Sequence, residues 1–257
     1  MDNISQTNQY GQMDFNLPHD MVQLPSGGRY YKSKKKSVKV GYLTASDENM
    51  LSNIVSQPNR ENLFTNLVRL KMYEPDLKPE EMLFGDLEAI LIFLRNTSFG
   101  TEYSLSVLDP GTDKRFTVTL DLSQINLKVP VSEPDDEGLF TTILPRSGNT
   151  VKLRLLTVGD ELELSKNAEM YPQNMVAPKI TWRLNKMIVS IDGNTDRQFI
   201  ATFIEKMPIV DSKHIRRFML DNEPGLDLKK QVLAPSGEKV DVDIAFGVEF
   251  FRPFFGV

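Results

Sequence analysis

The chain has 257 residues, 40% of them hydrophobic and 25% charged, which is typical of a globular protein with one large domain or two smaller ones. Its 30 basic and 35 acidic side chains give a formal net charge of −5, so the chain has no general attraction for nucleic acid or an anionic membrane surface. It contains no cysteine, which excludes disulfides, thiol catalysis and cysteine-based zinc sites, and it has no apolar run long enough to span a membrane.

The N-terminal region combines a polar arm with a basic loop. Residues 1–17 are rich in Asn, Gln, Ser and Asp, which predicts a flexible arm and no secretory signal. A glycine turn at 25–28 follows, and alternation over 38–42 predicts a half-buried strand. Between them lies a basic loop whose residues we expect to contact a partner: Arg29, Tyr30, Tyr31, Lys34, Lys35 and Lys36.

This basic loop allows two interpretations. Basic side chains interleaved with aromatic rings can contact phosphates and stack on bases, as in a nucleic-acid-binding accessory protein that uses residues 29–39. A solvated loop or a site for an acidic protein partner is favoured, because the net charge is negative and the rest of the chain has no nucleic-acid motif.

The first half continues with three predicted helices. Ser46 is the predicted N-cap of the first, the second runs roughly over 61–72, and the third, most strongly patterned helix runs from Pro79 to Gly100. Apolar side chains cover nearly all faces of the third helix, so we expect it to be buried on most sides. Its helical spacing is carried by Leu83, Leu87, Ile90, Leu91 and Leu94.

A predicted hairpin and a predicted linker end the first half. Two alternating segments flank the turn at 109–114, which is typical of a β-hairpin. Residues 128–139 are acidic and rich in proline, which predicts the linker between two domains.

The second half repeats this kind of order. A strand is predicted at 151–155, a helix capped by Thr157 follows, and an apolar segment at 180–191 contains the single tryptophan. Thr195 and Gln198 predict a capping box, Asp211 starts a short helix, and a hairpin is predicted at 231–245. On the short helix we expect three surface residues to be available to a partner: His214, Arg216 and Arg217.

Residues 247–257 form an aromatic tail. Four of its side chains are candidate partner contacts: Phe250, Phe251, Phe254 and Phe255. A chain seldom exposes so much aromatic surface without a use. The tail therefore either folds back onto its own core or docks on another subunit, and the sequence leaves both alternatives open.

The two halves match each other in sequence. At an offset of 113, eight of the 15 positions from 38 to 52 are identical, and at an offset of 125 ten of the 35 positions from 80 to 114 are identical. Unrelated segments would match at about one position in 17. The sequence therefore predicts an α+β fold of two tandem pseudo-repeats, 18–127 and 140–246, each a turn-strand-helices-β-hairpin unit, with an insertion around 168–195 in the second.

No residue pattern predicts catalysis, a cofactor or a metal. The repeated Thr-x-x-Asp-Glu segments at 44–48 and 157–161 offer paired carboxylates, but a cap followed by acids is the ordinary start of a helix. Asp109, Asp113 and Asp121 belong to turn chemistry. We therefore expect a protein that is not an enzyme and has no small-molecule substrate. The only residues that would support a hydrolase are acidic residues scattered along the chain.

Three stretches together resemble the baseplate hub assembly proteins, or baseplate hub subunits, of contractile-tailed phages. They are FNLPHDMVQLPSGGRYY with VKVGYLTASDENML, then PEEMLFGDLEAILIFLRNTSFGTEYSLSVLDP, and finally VDIAFGVEFFRPF, and the likeness covers most of residues 15–257. Relatives often carry a CxxC knuckle where this chain has Asp109 and Thr112, so the resemblance implies no zinc here.

The resemblance implies a structural or assembly role in a phage tail. The expected partners are other tail and baseplate proteins, and the expected locations are the virion and, during assembly, the cytoplasm of the infected bacterium. A transient assembly chaperone that is absent from the virion is the alternative within the same class.

Overall fold

The computed structural model describes residues 18–52, 60–172, 174–246 and 248–251. The predicted arm 1–17 and the tail residues Phe254 and Phe255 lie outside these ranges. The described chain has an α+β fold, as predicted, with helices packed among several small antiparallel sheets.

The first half begins with a hairpin and ends with a longer one. The elements are β1 (His19–Gln23), β2 (Ser37–Gly41), α1 (Ala45–Ser52), α2 (Arg60–Lys71), α3 (Phe84–Phe99), β3 (Glu102–Asp109) and β4 (Lys114–Asp121). Short 3₁₀ helices at Pro79–Glu81 and Leu122–Gln124 flank α3 and its hairpin.

The second half also opens with paired strands and ends with a hairpin. The elements after β5 (Leu127–Lys128) are β6 (Phe140–Ile143), β7 (Thr150–Leu153), α4 (Val158–Glu169), α5 (Lys179–Met187), β8 (Ile188–Ile191), α6 (Arg197–Lys206), α7 (Ile209–Asn222), β9 (Gly225–Leu226), β10 (Lys229–Leu233) and β11 (Lys239–Asp243). A 3₁₀ helix at Val248–Phe251 follows.

All strand pairs are antiparallel, and they form separate small sheets. β1 pairs with β2, β3 with β4 and β10 with β11, whereas β6, β7 and β8 form a three-stranded sheet. The short pair β5–β9 joins the end of the first half to the second, with Leu127 opposite Leu226.

The helix α3 lies at the centre of the core, as its pattern predicted. Ile90 and Leu94 are fully buried, and Leu91 is 2% exposed. The helix begins at Phe84 and not at Pro79, because the backbone before it forms hydrogen bonds with other parts of the chain. The carbonyl of Met82 accepts a hydrogen bond from the amide of Val158 at 2.8 Å, and the Leu83 amide donates to the Tyr31 hydroxyl at 2.9 Å.

Two predicted helix caps are displaced. Thr44, and not Ser46, stands before α1: its amide donates to the Asp47 carboxylate at 2.7 Å. Asp196, and not Thr195, caps α6, because its carboxylate accepts from the amides of residues 198 and 199. The cap at Thr157 is confirmed, with Asp160 completing a capping box.

The helix predicted to start at Asp211 is longer than expected. α7 begins at Ile209, directly after Pro208, and runs for 14 residues. The apolar segment 180–191 divides into α5 and β8, which explains its mixed pattern.

The two halves are in close contact. A Cβ atom on Gly85 would lie 2.4 Å from the Gly225 Cα, so the start of α3 and the strand β9 approach as closely as glycine permits. At the hairpin tips, the Asp109 carboxylate accepts hydrogen bonds from the amide and hydroxyl of Ser236.

Candidate functional site

The basic loop is held by acidic residues of the same chain. Arg29 forms an ion pair with Glu133 of the predicted linker, and Lys35 forms one with Glu74. The Lys34 ammonium donates to the Arg29 carbonyl at 2.9 Å, and Lys36 is exposed. The loop therefore presents less unpaired positive charge than its sequence suggests.

The two tyrosines of this loop point inward. Tyr30 is half-buried and stacks on Phe140, with ring centroids 6.2 Å apart. Tyr31 is 5% exposed, and its hydroxyl donates to the Asp86 carboxylate. Tyr31 is thus a core group and not a free contact residue, in correction of the expectation from its basic neighbours.

Asp86, at the start of α3, holds the first glycine turn. Its carboxylate accepts hydrogen bonds from the amide and hydroxyl of Ser26 in addition to that from Tyr31. Burial raises the pKa of Asp86, while these hydrogen bonds oppose the shift. Asp211, at the start of α7, likewise accepts hydrogen bonds from the amides of Arg146 and Ser147, at 2.7 and 3.0 Å.

The three candidate residues on α7 do not form one surface. The His214 ring stacks on Phe218 and lies 2.9 Å from the Thr142 hydroxyl, which ties it to β6. Arg217 is exposed and pairs with Asp221 one turn along the helix. Arg216 is half-buried and faces a groove between the helices.

The first part of the aromatic tail folds onto the core of its own chain. Phe250 is fully buried and Phe251 is 3% exposed, so these two residues follow the first of the two alternatives and are not available to a partner. Their rings contact Phe64, Phe99 and Tyr103 of the first half.

Arg95 fixes this packing, and sequence reasoning missed it. Its side chain is 1% exposed and donates to the carbonyls of Gly100, Glu102 and Phe250. Its guanidinium also lies 5.2 Å from the Tyr103 ring centroid. Desolvation lowers the pKa of Arg95. A single cation among the apolar residues of α3 was the available signal.

A groove of about 790 Å³ lies between α3, α4, α5 and α7. It lies between the two halves, because α3 belongs to the first and the other helices to the second. Much of its lining is apolar and includes Phe84, Leu155, Leu164, Trp182, Met187 and Met219. We name it the α3–α5 groove.

Two carboxylates in this groove have perturbed acidities. Desolvation and the charge of Glu223 raise the pKa of Glu88 to about 7, although Lys128 opposes the shift. Desolvation also raises the pKa of Glu223. Neither forms an ion pair within the described residues, whereas Glu161 in the same groove pairs with Arg183. The sequence signal was again a charge, Glu88, on the apolar face of α3.

No group of three or more His, Asp or Glu side chains in the described part of the chain is arranged to hold a metal ion. At the hairpin tip, the two oxygens of Asp109 are occupied by hydrogen bonds from Gly111 and Ser236, so this tip does not fit a zinc knuckle. Within the same ranges, none of the helices has the length and apolarity needed to cross a bilayer.

Comparison with known protein families gives a match that spans both halves. A family model described as "T4 bacteriophage base plate protein" matches residues 19–252. No curated protein and no solved structure matches the chain.

Proposed function

This chain belongs to the family of T4 bacteriophage base plate proteins, and from that premise we propose that it is a non-enzymatic component of the baseplate hub of a contractile tail, or a factor that assembles it. A baseplate protein has its place in the virion tail and acts by contacting other tail proteins. The observation that carries the proposal is the match over 19–252, which includes both halves, the joint between them and part of the tail.

Support for the hub assignment comes from the residues that resemble hub proteins. The stretch PEEMLFGDLEAILIFLRNTSFG contains α3, which is the centre of the core, and the residues near the C-terminus supply Phe250 and Phe251. The resemblance thus lies in the residues that fix the fold. During assembly the protein would act in the cytoplasm of the infected bacterium.

Mass spectrometry of purified virions and of isolated tail intermediates tests the role. A hub component is present in both, at a fixed ratio to other baseplate proteins. An assembly chaperone is present in the intermediates and absent from the virion. Absence from both contradicts either role.

A nucleic-acid-binding role for residues 29–39 is the second candidate, and the ion pairs weaken it. Arg29 and Lys35 are neutralised by carboxylates of the same chain, and Tyr31 cannot stack on a base because it is buried. Titration with single- and double-stranded DNA at low salt decides, because phosphate contacts are strongest there. We expect no binding.

We also propose that the two halves are copies of one ancestral unit. The hairpins β3–β4 and β10–β11 each follow a helix, α3 or α7, with a buried aspartate in its first turn. Asp86 and Asp211 are related by the offset of 125, and each binds the glycine turn of its own half. Thr44 and Thr157, related by the offset of 113, each exchange hydrogen bonds with the aspartate three residues later.

Strand pairing supports the same correspondence and relocates the insertion. Val40 pairs with Met72 after α2, and its counterpart Leu153 pairs with Ile188 after α5. The offset between Met72 and Ile188 is 116, so most of the extra residues follow Ile188 and include α6 rather than filling 168–195. In this correspondence α6 stands where the first half has the 3₁₀ helix Pro79–Glu81.

Exchange of the two glycine turns tests the duplication. A chimera with residues 144–149 in place of 24–29 should fold, because Asp86 would meet the same kind of backbone donors that Asp211 does. Thermal unfolding measures the result, and a chimera with the same residues in scrambled order is the control. A chimera no more stable than the scrambled control contradicts the proposal.

A further inference from the structure

The α3–α5 groove has the size and chemistry of a site for a short protein segment. Its volume of about 790 Å³ lies in the range of sites that enclose a ligand of several side chains. Trp182 and Met187 offer aromatic and adaptable contacts on one wall, and Phe84 lies on the facing helix. An occupant must therefore supply large apolar side chains.

The carboxylates of the groove define the charge of this occupant. Glu88 and Glu223 face the same space without an ion pair among the described residues, so an arriving cation would gain two partners in a partly desolvated site. The other acids of the groove are Glu161, which pairs with Arg183, and Glu169, which is exposed. The groove also holds two cations, Lys179 and Arg216. A segment with a basic residue beside aromatic residues complements this arrangement.

One segment of this chain outside the described ranges has that chemistry. Residues 252–257 read Arg-Pro-Phe-Phe-Gly-Val, which places a guanidinium two residues before a pair of phenylalanines. Residues 1–17 do not fit, because they contain two aspartates and no lysine or arginine.

The segment cannot place Arg252 between Glu88 and Glu223 of its own chain. Phe251 packs against Phe99 at the C-terminal end of α3, whereas Phe84 and Glu88 of the groove lie at the opposite end. The rise from Glu88 to Phe99 is roughly 16 Å at about 1.5 Å per residue. Arg252 directly follows Phe251, and neighbouring Cα atoms are about 3.8 Å apart, so Arg252 of the same chain is too close to the far end of α3 to lie between Glu88 and Glu223.

We propose that the α3–α5 groove binds the segment Arg252–Val257 of a second copy of this chain, with Arg252 between Glu88 and Glu223 and the rings of Phe254 and Phe255 against Trp182 and Met187. The aromatic tail then has two functions. Phe250 and Phe251 complete the core of their own chain, and the next aromatic pair joins one copy to another. This inference rests on the geometry of the groove and not on the baseplate role, so either can fail without the other.

Sedimentation equilibrium of the full chain tests self-association. Over about 1 to 100 μM, a range that covers the dissociation constants expected of a small contact, we expect species heavier than the 29.2 kDa monomer. The double variant Phe254→Ala/Phe255→Ala should weaken association about tenfold or more, as removal of central aromatic anchors does. A wild-type chain that stays monomeric throughout this range overturns the proposal.

Charge reversal locates the contact. Glu223→Lys and Arg252→Glu should each weaken association about tenfold or more, and the two together should restore it to within about threefold of wild type. Arg217→Glu is the matched control, because Arg217 lies on the same helix but pairs with Asp221 outside the groove. It should leave association unchanged.

Folding of each variant is checked by near-ultraviolet circular dichroism, so that a loss of association is counted only for a folded chain. If Glu223→Lys unfolds the chain, Arg252→Glu alone tests the charge contact. A chain with a photo-crosslinking residue in place of Phe255 then locates it. Crosslinks from Phe255 to α5 or α7 of another copy support the proposal. Association that survives the tail variants, or crosslinks confined to other surfaces, overturns it.

Discussion

Asp86 and Glu88 lie two residues apart on α3, and burial raises the pKa of both. Asp86 is compensated by hydrogen bonds from Ser26 and Tyr31. Within the described ranges Glu88 has no such donors, and it faces the groove near Glu223. Two carboxyl groups on one helix therefore differ in role: that of Asp86 stabilises the fold, and that of Glu88 is left without a hydrogen-bond donor among the described residues.

Stability should depend on the protonation of Glu88. Its pKa is about 7 in the folded chain against an ordinary value of 4.5, so the folded state holds a proton that the unfolded state has released between these pH values. Stability therefore falls as pH rises through this window, and it is highest below it. Glu88→Gln should flatten the dependence and be more stable than wild type at pH 8 by up to about 3 kcal/mol.

Urea unfolding at several pH values between 4 and 8 measures this effect. Glu223 also has a raised pKa and contributes in the same direction, and Lys128 opposes both. Glu163→Gln is the control, because Glu163 lies on the exposed side of α4 and pairs with Lys186. Equal pH dependence in wild type and Glu88→Gln would show that Glu88 is not the titrating group.

Arg95 should be among the most sensitive single residues of the chain. Arg95→Met keeps much of the side-chain volume but leaves the carbonyls of Gly100, Glu102 and Phe250 without their donor. Because each buried unpaired acceptor costs about 1–3 kcal/mol, we expect a loss of roughly 3 kcal/mol or more in unfolding free energy. Arg217→Met, at an exposed position, should change it by less than about 0.5 kcal/mol. A loss of less than about 0.5 kcal/mol for Arg95→Met would mean that water replaces the hydrogen bonds of Arg95.

Each glycine turn is fixed by a carboxylate on a later helix, but the donors differ. Both partners of Asp211 are backbone amides, which cannot accept a hydrogen bond from an asparagine side chain. Two of the three donors to Asp86 are hydroxyls, which can rotate to accept one. We therefore expect Asp211→Asn to destabilise by about 1–3 kcal/mol, and more than Asp86→Asn does. Urea unfolding compares the two, and the reverse order would contradict this account.

The elements themselves could largely be predicted, because their signals are local. Apolar spacing identified α3, alternation around turn residues identified both long hairpins, and Thr157 was read correctly as a cap. The errors lie where tertiary hydrogen bonds override local preference. Met82 and Leu83 fit a helix by pattern, but Val158 and Tyr31 bind their backbone in an extended conformation.

The interaction surfaces were harder to predict, because exposure depends on what packs nearby. The basic loop looked free in sequence, but Glu74 and Glu133, which pair with its cations, are distant in the chain. The α3–α5 groove forms only when helices of both halves meet, so no local pattern marks it. Two of its lining residues, Glu88 and Trp182, are conspicuous in the sequence, but nothing in the sequence shows that they lie together.

The molecule as a whole should behave as one unit despite its two halves. The amide of Val158 binds Met82, β5 pairs with β9, and Ser236 binds Asp109, so backbone and side-chain bonds cross between the halves in several places. The predicted linker is the exposed part of this connection: Val129 and Val131 are 83% and 78% exposed.

Cleavage of this linker should not separate the halves. With a site for a sequence-specific protease inserted between Glu133 and Asp136, we expect the cut chain to elute at the position of the intact one. Native mass spectrometry measures whether both fragments remain together. The same cut in a Phe250→Ala background should release them more readily, because removing a buried phenylalanine costs about 3–5 kcal/mol. Fragments that separate in the wild-type background would show that the halves are independent domains.

The hydrogen bond from Arg95 to the Phe250 carbonyl joins residues 155 positions apart. A ribosome that adds about 5–20 residues per second needs on the order of 10 s to make the intervening chain. Throughout that time the newly made α3 lacks the partner that covers its guanidinium and the aromatic rings beside it. The first half is therefore made first but completed last, and a nascent chain that stalls before residue 248 should be a substrate for chaperones and proteases.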